Sequence, residues 1–96
     1  MLNKRIASAF KSDFKDVKNS GKFSKAIENI FYEVVELLIN EQPIPTKYKL
    51  HTLIGDYVNC FELHLKPDLL LIFYYEEENT LVLYRIGAHN KLFKNN

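Results

Sequence analysis

Seven consecutive residues, Leu69-Leu70-Leu71-Ile72-Phe73-Tyr74-Tyr75, are apolar or aromatic. A run of this kind, bounded by turn signals, reads as a strand covered on both faces rather than one. A chain of 96 residues has room for one domain and buries roughly three-fifths of its unfolded surface. The run is therefore expected at the centre of a single small sheet, with the rest of the domain, residues 1–96, wrapped around it.

Its neighbours fit that expectation. Tyr57 to Leu65 and Leu81 to Ile86 are rich in β-branched and aromatic residues, and Lys66-Pro67-Asp68 and Glu76 to Thr80 separate the three runs, which predicts an antiparallel meander. The first half follows a different period. Ile6, Phe10, Phe14 and Val17 recur at helical spacing behind Ser8 until Ser20-Gly21 breaks the pattern. A second helix starts near Ser24, a good N-cap, and offers Ile27, Ile30, Phe31, Val34, Leu37 and Leu38 for burial before Pro43 and Pro45 end it. Asn3 to Ala7 can add an edge strand. Glu41 to Asp56, with two prolines and a glycine, reads as an ordered loop that includes His51. The fold class is α+β, an N-terminal helical hairpin packed on a small antiparallel sheet.

Composition excludes more than it selects. Thirteen basic and 12 acidic side chains leave a net charge of +1, so no global polyion argument about partners holds. The charge is uneven: Lys4, Arg5, Lys11, Lys15, Lys18, Lys22 and Lys25 face only Asp13 and Asp16 in the first 25 residues. Lysines 11, 15, 18, 22 and 25 read as a solvated face; a phosphate-contacting patch that includes Lys11 and Lys15 requires a nucleic-acid substrate. Cys60 stands alone and reads as a buried apolar filler, since no base accompanies it at a recognisable spacing. No apolar leader or long apolar run appears, so a cytoplasmic protein with no membrane partner is expected.

The chemistry concentrates in the second half. His64 and Asp68 flank the Lys66-Pro67-Asp68 turn. In an antiparallel ladder paired positions keep a constant sum, so pairing Tyr75 with Leu81 sets Leu69 opposite about Gly87 and brings His89 just beyond Asp68. Neighbouring strands lie about 4.8 Å apart, so the three side chains share a small site if their faces agree. Each alone is an ordinary surface or turn residue. Together with His51 they supply three imidazoles and a carboxylate, enough for an acid, a base and an anion-stabilising group near neutral pH.

Three stretches carry a resemblance: Leu53-Ile54-Gly55; His64-Leu65-Lys66-Pro67-Asp68-Leu69-Leu70-Leu71-Ile72; and Tyr84-Arg85-Ile86-Gly87-Ala88-His89-Asn90-Lys91-Leu92-Phe93. They resemble the YafQ branch of the RelE-like toxins of bacterial type II toxin-antitoxin modules, and the order of elements extends the resemblance over the whole chain. It implies the RelE-like microbial RNase fold and an endoribonuclease that cuts mRNA in the ribosomal A site, without a metal or other cofactor. It also implies contact with ribosomal RNA and silencing by a cognate antitoxin. By position, His51, His64, Asp68 and His89 match the family's polar site residues and Phe93 its C-terminal aromatic. Two departures stand out: Leu69 where an aromatic often follows the turn aspartate, and Phe61 where an arginine often precedes the strand histidine by three.

RNA carries its own nucleophile, so cleavage requires a base for the 2′-OH, an acid for the leaving 5′-oxygen and cations at the phosphate. The expected assignment is His89 as acid, Asp68 as base aided by His64, and His51 with Lys66 or Arg85 at the phosphate. Two alternatives compete. One is a metal-dependent hydrolase using the same histidines and Asp68; the other is a ParE-like toxin that binds a topoisomerase and cuts nothing.

Overall fold

The computed structural model describes residues 1–21 and 23–93; Lys22, one of the five lysines singled out above, lies outside them. The chain runs β1 (Asn3–Ile6), α1 (Ser8–Asn19), α2 (Lys25–Ile39), β2 (His51–Thr52), β3 (Phe61–Lys66), β4 (Leu69–Glu76), β5 (Thr80–Gly87) and a single helical turn, α3 (His89–Leu92). The apolar run is the central strand of a five-stranded sheet ordered β1-β5-β4-β3-β2.

Both faces of β4 are covered, by different material. Leu69, Leu71 and Phe73 join Leu63, Leu65, Leu81, Leu83 and Ile86 against Phe10, Phe31, Val34 and Leu38 of the helices. Leu70 and Ile72 point the other way, into a smaller cluster with Cys60, Leu92, Tyr57, Tyr74 and Tyr84. The helices form the expected pair: Phe31 of α2 stacks near Phe10 and Phe14 of α1, with ring centroids 6.0 and 5.9 Å away. The Ser24 hydroxyl caps α2 by accepting from the Ile27 N–H at 3.2 Å.

Three sequence expectations need correction. The sheet is mixed, because β1 pairs parallel to β5 from Asn3↔Thr80 to Ile6↔Leu83 while the other neighbours are antiparallel. His51 is not in a loop: with Thr52 it forms a two-residue strand paired to Glu62 and Phe61, too short to show a period. The strand expected from Tyr57 begins only at Phe61, because Gly55–Tyr57 makes a 3-10 turn and Asn59, at φ 70°, reverses the chain.

The ladder between β4 and β5 starts as expected, with Tyr75↔Leu81, and then shifts. Phe73 pairs with Leu83 but Ile72 pairs with Arg85, so Tyr84 is an extra residue and Gly87 comes opposite Leu70 rather than Leu69. This bulge reverses which residues face the helices, from Leu81 and Leu83 before it to Ile86 after it. A carboxylate holds it. Asp13, on the buried stripe of α1 between Phe10 and Val17, is only 5% exposed. It accepts from Arg85 Nε at 2.6 Å and Nη2 at 3.0 Å, and from the Ile86 N–H at 3.1 Å. β1 covers the edge of β5 only as far as Leu83, and Asp13 takes over where it stops.

Asp13→Ala is expected to lower stability by about 3 kcal/mol in urea unfolding, because it strands a guanidinium and a backbone N–H. Joint replacement, Asp13→Leu with Arg85→Met, should recover most of that loss; an Asp13→Ala protein as stable as the parent would show the pair to be incidental. Burial pushes the Cys60 thiol up from its ordinary value. Less thiolate is present near neutral pH, so iodoacetamide should alkylate Cys60 at least about tenfold more slowly than free cysteine, and equal rates would contradict its burial.

Candidate active site

Alternation along β3 sends Phe61, Leu63 and Leu65 toward the helices and Glu62 and His64 to the opposite face. His51 pairs directly with Glu62, so its side chain shares that face. The outcome is a carboxylate between two imidazoles. Glu62 is 4% exposed, and its Oε1 lies 3.1 Å from His51 Nε2 and 3.3 Å from His64 Nε2. The two rings are 6.1 Å apart.

Hydrogen-bond bookkeeping fixes part of the proton arrangement. His51 Nδ1 lies 2.8 Å from the Lys49 carbonyl, which can only accept, so Nδ1 carries a hydrogen. A hydrogen on Nε2 as well makes His51 an imidazolium paired with Glu62. Lys49 sits at φ 52°, the left-handed region, and this turn aims its carbonyl back at His51. A buried carboxylate without partners is costly, and the two histidines satisfy it. The same atoms, two imidazole nitrogens and a carboxylate oxygen within 4.8 Å of one another, are also a donor set suited to a divalent first-row metal ion.

The second part of the site is built on α3. Gly87 allows this turn to lie on β5, since a Cβ there would stand 3.3 Å from Leu92 Cδ2. His89 opens the turn, and its ring lies over Phe93 with centroids 4.8 Å apart. Phe93 in turn meets Tyr57 edge-on at 5.2 Å. The Tyr57 hydroxyl donates to the Leu92 carbonyl at 2.8 Å and accepts from Arg85 Nη1 at 3.2 Å. Burial pushes the Tyr57 phenol up, so it stays a donor. Lys91 reaches α1 through Asp16 at 2.8 Å, and this ammonium holds the Asp16 carboxyl below its usual range.

His64, Leu70 and Gly87 occupy one row across β3, β4 and β5. Two strand spacings, about 10 Å, therefore separate the His64 backbone from the start of α3. Asp68 lies in the exposed β3–β4 turn with Lys66 Nζ 3.9 Å away. It shares a cleft of about 110 Å³ with Lys66, Gly87, Ala88 and Lys91, and with Asp16 and Val17 of α1. The structure thus couples His51 to His64 through Glu62, and brings Asp68 to the residue before His89. Among the described residues, no hydrogen bond or ion pair joins the two halves.

Other expected residues fall differently. Arg85, expected at a phosphate, is turned onto Asp13 and Tyr57, which offsets its charge and makes it a brace between α1 and α3. Lys11 and Lys15 are exposed on α1, in the helical layer across the sheet from Glu62. Phe61 also leaves the site face: it stacks on Phe73 at 5.5 Å among the helix-side residues, and Leu69 is core. Glu62, Asp13 and Tyr57 were missed in the sequence. Glu62 had a visible signal, a carboxylate two residues before His64 and so on the same strand face.

Residues 2–94 match the family model described as the bacterial toxin of type II toxin-antitoxin system, YafQ. The mRNA interferase toxin YafQ of Escherichia coli is 35% identical over 79 residues, 82% of this chain and 85% of that protein. A metal-bound toxin from Helicobacter pylori superposes with a TM-score of 0.85 at 41% identity, covering 97% of this chain and 100% of the other. The E. coli DinJ-YafQ complex contains a chain with a TM-score of 0.81 at 26% identity, covering 97% and 99%. The chain belongs to the YafQ family of bacterial type II toxin-antitoxin toxins.

Proposed function

We propose that this toxin is a ribosome-dependent endoribonuclease that cuts mRNA by attack of the 2′-OH on the adjacent phosphate. The observation that carries the reading is the buried Glu62 between His51 and His64, near the end of the sheet where Asp68 and Ala88 share a cleft. The mRNA interferase activity named for the E. coli relative supports it. The base removes the 2′-oxygen proton, the new O–P bond closes a 2′,3′-cyclic phosphate, and the P–O5′ bond breaks as the acid protonates the leaving oxygen.

Asp68, aided by His64, is assigned as the base and His89 as the acid. His51, held in place by the Lys49 carbonyl and Glu62, and Lys66 face the phosphate oxygens on which charge builds. Glu62 orients both imidazoles, while Phe93 supports the His89 ring and offers a face for a base. Arg85 acts through Tyr57, whose hydroxyl pins α3. The E. coli relative is found in complex with DinJ, and by analogy a cognate antitoxin silences this toxin. Among the described residues no helix is long and apolar enough to cross a membrane.

A second reading has one observation behind it. The His51, Glu62 and His64 donor set fits a metal ion, and the H. pylori toxin is metal-bound. Stripping the toxin with EDTA and returning it to magnesium buffer before it meets programmed ribosomes separates the two: mRNA cleavage that survives supports acid–base chemistry alone, and cleavage lost and restored by a first-row transition-metal ion supports the second.

In that assay, mapped by primer extension, His89→Ala should lose two to four orders of magnitude, roughly the worth of positioned proton transfer. Glu62→Gln, which keeps shape but removes the charge that orients two imidazoles, should lose about a hundredfold. Cleavage by His89→Ala at the parental rate would refute its role, and intact mRNA with the parent protein would refute the nuclease reading.

A further inference from the structure

Beside the histidine cluster, around the free edge of β3, the surface opens into a cavity of about 410 Å³. It exists because β2 is only two residues long, and so leaves β3 beyond Glu62 without a neighbouring strand. The apolar floor comes from Ile27 and Ile30 of α2 with Pro67 of the β3–β4 turn, and Lys47, Lys49 and Lys66 stand around it. The volume is in the range of small-molecule sites, about 300–1,000 Å³.

Charge and position narrow the occupant. No carboxylate lines the cavity. Lys47 and Lys49 are exposed and take part in none of the ion pairs among the described residues, and the Lys47 ammonium lies 5.2 Å from the centre of the Tyr48 ring. An occupant with a flat, weakly polar body and anionic groups at its margin fits this arrangement. His64 and Lys66, both in the proposed site, also line the cavity, and the Lys49 carbonyl holds His51, so the cavity begins where that site ends.

We propose that this cavity receives a nucleotide of the RNA next to the scissile phosphate, its base on Ile27, Ile30 and Pro67 and its phosphates at Lys47 and Lys49. The proposal rests on the RNA-cleavage reading and adds a subsite that selects what flanks the cut. An acidic, partly apolar peptide would also suit the floor and the lysines; continuity with His64 and Lys66 favours RNA.

The test uses a fluorescein-labelled, mixed-sequence heptaribonucleotide whose 2′-O-methyl groups prevent self-attack. Its binding to the full chain is followed by anisotropy from about 50 to 200 mM NaCl, the range over which released counterions dominate. Lys47→Ala and Lys49→Ala should each reduce the slope of log K against log salt by about 0.7, the value for one single-strand phosphate contact. Ile27→Trp, which fills the floor, should weaken binding about tenfold with little change in slope, roughly the loss of one buried contact. Thermal unfolding establishes that each variant is folded, and the lysine variants decide the matter if Ile27→Trp is not.

Wild-type levels of binding in the lysine variants, or no binding by the parent, would overturn the proposal. So would decaglutamate binding that depends on Ile27 while RNA binding does not. The ribosome assay keeps the two readings apart. His89-dependent cleavage with unaltered RNA binding by the variants removes the subsite alone, whereas lysine-dependent RNA binding without cleavage by the parent removes the nuclease reading and leaves the RNA site.

Discussion

The rest of the structure depends on one buried carboxylate. Asp13 accepts two guanidinium N–H groups from Arg85 and the backbone N–H of Ile86, at the point where β1 no longer covers β5. Buried ion pairs of this kind are a weak source of stability compared with apolar residues of the same shape. What the pair specifies is register. With Ile86 held to α1, Tyr84 is left as the extra residue, Ile86 turns into the helix-side core and Gly87 comes to lie under Leu92. The bonds continue from Arg85 to the Tyr57 hydroxyl and from there to the Leu92 carbonyl. A charge on the first helix is thereby linked, through the side chains of Arg85 and Tyr57, to the turn that carries His89.

Much of this architecture is legible from local pattern. The ends of α1, the Ser24 cap and the central place of Leu69 to Tyr75 all follow from period and turn chemistry, which act within a few residues. The parts that escape are set by distant partners. Nothing near Tyr84 announces a bulge, because its cause is Asp13, 71 residues away in the chain from Tyr84. His51 and Thr52 become a strand only because Glu62 and Phe61 are there to pair with them. Asp13 is a polar interruption in the Phe10, Phe14 and Val17 stripe, and a stripe search discards such a residue although a buried charge is the more informative event.

The candidate site shows the same division. His64, Asp68 and His89 were placed at one end of the sheet by counting pairs, and the row His64, Leu70, Gly87 keeps them there even though the bulge moves Gly87 by one position. Glu62 escapes strand pairing of this kind because an acid on a strand is usually solvated, and its importance comes from burial at 4% exposure. Nor does counting pairs separate the layers. The helix side of the sheet carries the larger core, and the other side is closed by a single turn, a short 3-10 segment and a few aromatic rings. Side chains on that thinner side reach solvent with little backbone in the way, whereas the lysines of α1 lie across the sheet from it.

The Glu62 arrangement also bears on how one cluster serves two readings. As an acid–base element, His51 donates from Nδ1 to the Lys49 carbonyl and turns Nε2 to Glu62. As a metal ligand, His51 must present a bare Nε2, because a protonated nitrogen has no lone pair to give, and binding therefore releases a proton. The two states cannot coexist in one molecule. The two proposed readings thus call for opposite proton arrangements on one histidine, because the Lys49 carbonyl occupies Nδ1 and leaves His51 only one nitrogen for either role.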